Sequence, residues 1–194
     1  MLASILSMGL TGIEGFVTTA EVNLAPGIPA FDIVGLPDAA VKESRERVRA
    51  ALRNCRFAFP AERLTVNLAP ADQKKEGPAF DLPIALGVLA CTGVIDAQAL
   101  QGVAAVGEVA LDGAVRPVRG ALPMAISALQ AGIRRIMLPE KNINEVRCVD
   151  GLEILPVEHL RQAVAHFTGE AAICPVIPVQ YARLLCEDVY KRQK

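Results

Sequence analysis

The chain has 194 residues, 52% of them hydrophobic, 4% aromatic and none Trp. That length suits one domain, or one domain with a tail, and the core must be built from Ala, Val, Leu and Ile as in layered α/β proteins. A net charge of −1 excludes attraction to nucleic acid or membrane through overall charge, and five scattered cysteines without a Cys-x-x-Cys pair leave zinc and dithiol chemistry unsupported.

The charge is unevenly spread. Residues 42–75 carry nine Lys/Arg against four acids, a net +5, which leaves −6 for the remainder. Such segregation points to an acidic partner for the basic segment. The start, MLASILSMGLTGIEG, has no basic leader and reads as a strand, not a signal peptide. No apolar run is long enough to span a bilayer. A cytoplasmic protein with reduced thiols and no membrane partner is the expectation.

In chain order, ASILSMGL and GFVTTAEVNL are β-prone runs parted by Thr11-Gly12, which predicts a hairpin. Pro26-Gly27 marks a loop, and AFDIVG a third strand. LPDAAVKESRERVRAALRNC predicts a helix with Asp38 as its N-cap. Val41, Ser44, Val48, Ala51, Leu52 and Cys55 give its buried stripe. Lys42, Arg45, Arg49, Arg53 and Arg56 fall on another face, within about 60° of its centre line. RLTVNLAP then alternates Leu64, Val66 and Leu68, as a half-buried strand does.

KKEGPAFDLPIAL opens the next helix, FDLPIALGVLACTG. Pro83 is tolerated in a first turn, Asp81 suits the positive end of the dipole, and Gly93 closes the helix. VAAVGEVALDGAVRPV reads as a hairpin turning at Asp112-Gly113. After it come a helix (GALPMAISALQAG), a strand (RRIMLP), a short helix (EKNINEVRC), a strand (LEILPV) and a last helix (VEHLRQAVAHFTG). This order predicts a single α/β domain over residues 1–168, with parallel and antiparallel pairs in one sheet. Residues 169–187 read as a linker out of the domain. DVYKRQ is the string that a translated transposon sequencing adapter gives, so 188–194 is set aside as an artefact and the natural chain is expected to continue.

Three readings of the basic face stay open. It is a solvated surface, with Glu43 and Glu46 pairing to Arg47, Arg49 or Arg53. Or Lys42, Arg45, Arg49, Arg53 and Arg56 contact DNA phosphates, with Lys74 and Lys75 adding to the patch. Or these arginines meet acids of a neighbouring subunit. No aromatic interleaves with them, so DNA binding here is expected to be electrostatic and not sequence-specific. Lys74-Lys75 also stand where a helix start can hold an anion, but Glu76 follows them and a plain turn is the reading. His159 and His166 lie seven apart with no completing ligand set, so no metal is expected. Phe57, Phe59 and Phe80 read as core.

KKEGPAFD and VRGALPMAISALQAGI resemble, over residues 64–157, the proteolytic domain of Lon-type proteases. The resemblance puts Ala79 at the position of the nucleophilic serine and Leu122 at that of the lysine base. Neither side chain can do that chemistry, so a fold signature without the reaction is implied. A related scaffold occurs in the C-terminal domain of RadA-type recombination proteins.

GLTGIEGFVTTAEVNLAPGIPAFDIVGLPDAAVKESRERVRAALRNC and VNLAPADQKKEGPAFDLPIALGVLA resemble the amino-terminal domain of the YifB/ComM family, the magnesium-chelatase-like AAA+ ATPases of bacteria. That resemblance runs from residue 1 to about 187. It implies a Lon-protease-domain-like (ribosomal-protein domain 2-like) fold in front of an AAA+ motor. It further implies ATP and Mg2+ in that motor, a homohexameric ring, and a helicase driving DNA branch migration in natural transformation. The 194 residues contain no GxxxxGK[ST], so this chain is not expected to hydrolyse ATP although its parent is. Nothing points to porphyrin or metal handling. A stand-alone interaction module and a Ser/Lys peptidase are the alternatives.

Overall fold

The computed structural model describes residues 1–178. The end of the expected linker, with Cys186, and all of 188–194 lie outside the described residues. Strands β1 (Leu2–Thr11) and β2 (Glu14–Ala25) form the expected hairpin, in register from Leu2↔Asn23 to Thr11↔Glu14. Gly12 turns it at φ 61°, a left-handed conformation that a side chain would resist. Then come β3 (Ala30–Val34), α1 (Ala39–Asn54), β4 (Arg63–Ala69), a 3-10 turn (Pro78–Phe80) and α2 (Asp81–Cys91). The second half holds β5 (Val103–Ala105), β6 (Glu108–Val109), β7 (Val115–Arg116), α3 (Ala121–Gln130), β8 (Arg135–Pro139), α4 (Ile143–Val146), β9 (Glu153–Val157) and α5 (Leu160–Thr168).

Seven strands make one sheet in the order β3-β4-β2-β1-β5-β8-β9. β2 is antiparallel to both neighbours and the other pairs are parallel. The carboxyl ends of β1, β3, β4 and β5 therefore lie at one end of the sheet. Helices cover both faces. Val41, Val48, Ala51 and Leu52 of α1 join α2 and α5 in one apolar cluster, and Ala121, Met124, Ala125 and Ala128 of α3 join α4 in the other. Every residue of α2 is buried, because the helix is packed between the sheet and α1. Each large aliphatic side chain enclosed in this way contributes roughly 1.5–3 kcal/mol.

Two segments differ from the sequence reading. The single hairpin expected over 103–118 is divided. Val103–Ala105 joins the main sheet, while β6 and β7 form a separate two-stranded ribbon. Val106 N–H still bonds to Met137 O of β8, but Gly107 N–H goes to Ala79 O, which takes the chain out of the sheet. The expected linker after 168 also begins too early. Ile173 is buried, and Val176 N–H bonds to Ile154 O at 2.9 Å. The segment covers the outer edge of β9, where exposed N–H and C=O groups would otherwise invite another chain.

Candidate functional site

Asp38 caps α1, its Oδ1 accepting from Val41 N at 2.7 Å, and the chain before it is held by Asp38 N–H to Lys75 O. The apolar stripe of the helix faces the sheet, which leaves the basic face outward. Lys42, Arg53 and Arg56 are exposed, and Arg45 and Arg49 half-buried. Arg45 folds back to donate to Lys42 O (3.1 Å) and Phe31 O (3.4 Å). The Arg49 guanidinium lies 5.2 Å from the centre of the Phe59 ring. Among the described residues none of these five cations is ion-paired; Glu43 goes instead to Arg47, at 3.5 Å. Cations on one helix face and just past its end, without an acid to neutralise them among the described residues, are what a polyanion neutralises.

The two lysines of the following turn part company. Lys74 is exposed and paired with Glu76 at 2.8 Å. Lys75 is fully buried: its Nζ donates to Pro70 O and, at 2.8 Å, to Gln73 O. Burial pushes its ammonium below the ordinary lysine value, against a raising effect of Asp72. Lys75 thus closes the 70–75 loop from inside and presents nothing to a phosphate. The basic patch expected from the sequence loses that member. The reason is local: unpaired carbonyls at residues 70 and 73 take up the donors of the amine.

Asp81 has a larger role than a dipole partner. It is fully buried and accepts from Arg47 Nε (2.7 Å), Arg47 Nη2 (3.0 Å), the Ser44 hydroxyl and Val109 N–H (3.2 Å). Its carboxyl is pushed up by burial and drawn down by these donors, while the hydrogen bond to Asp81 holds Arg47 charged. The cluster ties α1, α2 and β6 together. Asp38 makes a second tie, its Oδ2 accepting from Gly77 N at 3.1 Å.

Two adjoining cavities open beyond the carboxyl ends of the parallel strands, where α/β proteins commonly hold ligands. One, of about 670 Å³, is bounded by Leu10, Gly12, Glu76–Ala79, Asp38, Glu108, Pro117–Arg119 and Met124. The other, of about 500 Å³, runs along Leu10–Gly12, Glu14–Phe16, Asp72–Lys74 and Glu76. Ala79 is in the wall of the larger cavity. Leu122 is half-buried against the α3 cluster and is not part of that wall. The positions read from the sequence as a vacated dyad thus carry no nucleophile and no base, and only one faces the cavity.

The histidines are structural. His159 caps α5, with Nδ1 accepting from Arg161 N (3.1 Å) and Nε2 3.2 Å from Asp112 O. Cys55 lies beside it, with Sγ 3.6 Å from the same carbonyl. Burial raises the Cys55 thiol, which makes it a poor nucleophile despite a neighbouring His and Asp. His166 Nδ1 accepts from Ile173 N at 3.1 Å. Among the described residues no cluster of His, Cys, Asp and Glu suits a metal ion, and no helix is long and apolar enough to cross a membrane.

Two features escaped the sequence reading: the Arg47–Asp81 pair and Phe59 beneath Arg49. The first had a trace, since an aspartate in a wholly apolar helix needs a partner.

A family model, subunit ChlI of Mg-chelatase, matches residues 20–142. The competence protein ComM of Haemophilus influenzae is 43% identical over 169 residues, 87% of this chain and 33% of that protein. YifB of Escherichia coli is 41% identical over 162 residues, 84% of this chain and 32% of that protein. Lon protease of Rhizobium meliloti is 25% identical over 175 residues, 84% of this chain and 21% of that protein. The chain spans about a third of the length of ComM and YifB.

Proposed function

The chain belongs to the Mg-chelatase ChlI-subunit family, and on that premise we propose that it is the non-catalytic amino-terminal domain of a ComM- and YifB-like AAA+ ATPase. The whole protein is then an ATP-driven motor on DNA, a helicase or branch-migration engine serving natural transformation and recombination. It works as a ring of like subunits. Nucleotide and Mg2+ belong to the motor: these 194 residues contain no GxxxxGK[ST], and neither ligand is assigned to this domain.

The observation that carries the reading is the outward basic face of α1. Lys42, Arg45, Arg49 and Arg53 follow one side of the helix and Arg56 stands just past its end, all without ion pairs among the described residues, and Lys74 stands near the helix start. A helix of 16 residues is about 24 Å long. That is enough to follow several phosphates along one strand. The contact is electrostatic and reads no base. The domain guides DNA; the motor moves it.

Fluorescence anisotropy with a forked DNA tests this on the 194-residue chain. Binding at low salt is expected, together with its loss in the Arg45→Glu/Arg49→Glu/Arg53→Glu variant. An unchanged affinity in that variant removes the role from α1. A peptidase reading is disfavoured by Ala79 and Leu122, which supply neither nucleophile nor base.

A further inference from the structure

β3 is the outermost strand of the sheet, and α1 packs beside it. Arg45 joins the two, its Nη1 donating to Phe31 O at 3.4 Å. Two clefts lie along this junction. One, of about 310 Å³, is lined by Lys42 and Arg45 of α1 and Asp32–Val34 of β3, with Arg63. The other, of about 300 Å³, is lined by Arg49 and Arg53 of α1 and by Pro29–Ala30, with Phe59, Pro60 and Glu62. The clefts follow each other along both elements. Ala30 to Val34 covers about 13 Å at 3.3 Å per residue, and Arg45 to Arg53 about 12 Å at 1.5 Å per residue.

The charge of this groove is positive. Arg63 is taken by Asp32, at 3.4 Å. Lys42, Arg45, Arg49 and Arg53 have no acid partner among the described residues. Glu62 is exposed, so water and salt screen it. Arg49 is placed by a ring and not by a carboxylate. Its guanidinium lies 5.2 Å from the centre of Phe59, and its Nε is enclosed with no acceptor among the described residues. Phe59 in turn packs on the buried Phe31, with ring centres 5.7 Å apart. Arg49 and Phe59 are both half-buried, so each keeps a part open to the cleft. An aromatic ring and an arginine without an acid partner, set in a concave site, suit an unstacked base, and neighbouring cations suit the phosphates beside it.

We propose that the groove between α1 and β3 holds single-stranded DNA, with phosphates against Lys42, Arg45 and Arg53 and one unpaired base in the cleft of Arg49 and Phe59. A base within a duplex must leave its stack to enter such a cleft, whereas a single strand offers it without that cost. Packing against a base face tolerates every base, so the nucleotide is held and its identity is not read. The inference rests on the DNA reading above and narrows it to one form of DNA.

The test uses the 194-residue chain and anisotropy at low salt with three fluorescein-labelled probes: a twenty-nucleotide thymidine strand, an abasic strand of the same length, and a duplex of the same length. The thymidine strand is expected to bind about fivefold or more tightly than the abasic one, which is what the packing of one base contributes. It should also bind more tightly than the duplex, despite the denser charge of the latter. Phe59→Leu keeps an apolar side chain on Phe31, and Arg49→Lys keeps the charge. Each, its fold checked by circular dichroism, should lose most of the preference for thymidine and bind the abasic strand as before. Equal binding of the thymidine and abasic strands overturns the proposal while the DNA reading stands, and so does an undiminished preference in both variants. An oligoglutamate peptide that displaces the thymidine strand as well as unlabelled thymidine does marks a surface for acidic proteins and overturns it too. Absence of binding by all three probes ends the DNA reading and this inference with it.

Discussion

Removing Asp81 should destabilise the domain more than any surface change, because the carboxylate is where α1, α2 and β6 are joined. In Asp81→Ala, Arg47 loses two hydrogen bonds at 2.7 and 3.0 Å, and Ser44 and Val109 N–H lose their acceptor inside the protein. Arg47 is only 20% exposed in its side chain, so water compensates it in part. Breaking one half of a buried pair costs about 3–5 kcal/mol. For a domain of this size that corresponds to a fall in Tm of roughly 10 °C. Urea melts followed by circular dichroism measure it. The apolar double variant Arg47→Met/Asp81→Leu should recover much of the loss, since it leaves no charge behind. A single-variant cost below about 1 kcal/mol, or a double-variant cost equal to the sum of the singles, would refute the argument.

Lys75→Met should cost about 1–3 kcal/mol, because the Pro70 and Gln73 carbonyls lose their donor, yet leave DNA affinity unchanged; a loss of DNA binding comparable to the triple arginine variant would contradict its inward placement. His166 is pushed below the ordinary histidine value first by burial and then by Arg135, against Glu153. The unfolded chain then takes up the proton first. Stability is full above about pH 6.5 and falls as the pH drops from there towards the folded value. Urea melts at successive pH values should show this slope and show it flattened in His166→Gln; identical slopes would clear His166 of the effect. A serine-directed fluorophosphonate probe should not label the chain, and stoichiometric labelling would revive the peptidase reading that Ala79 opposes.

Local chemistry was legible. The Asp38 cap, the Asp112-Gly113 turn and the helix closed by Gly93 are signals spanning a few residues, and each is where the spacing puts it. The outward basic face followed from helical periodicity alone. What periodicity cannot carry is the partner of a side chain. Lys75 looks like its neighbour Lys74 until the 70–75 loop closes around it. Arg47 looks like another member of the α1 charges until Asp81, 34 residues on, meets it. Phe59 was rightly read as packing against the core, but not as the ring beneath Arg49. The strap after α5 was missed because its prolines and broken pattern signal irregular chain, and only the position of β9 at the sheet edge gives Ile173 and Val176 something to cover.

The salt dependence of DNA binding tests the central claim most directly. Anisotropy with forked DNA between about 50 and 200 mM salt should give a log–log slope of roughly −4.5 to −5.4, because five or six cations each contribute about 0.9 on duplex DNA. The Arg45→Glu/Arg49→Glu/Arg53→Glu variant should bind too weakly to give a slope. A wild-type slope near zero, or a variant that binds with the same slope, contradicts a DNA-guiding role for this domain.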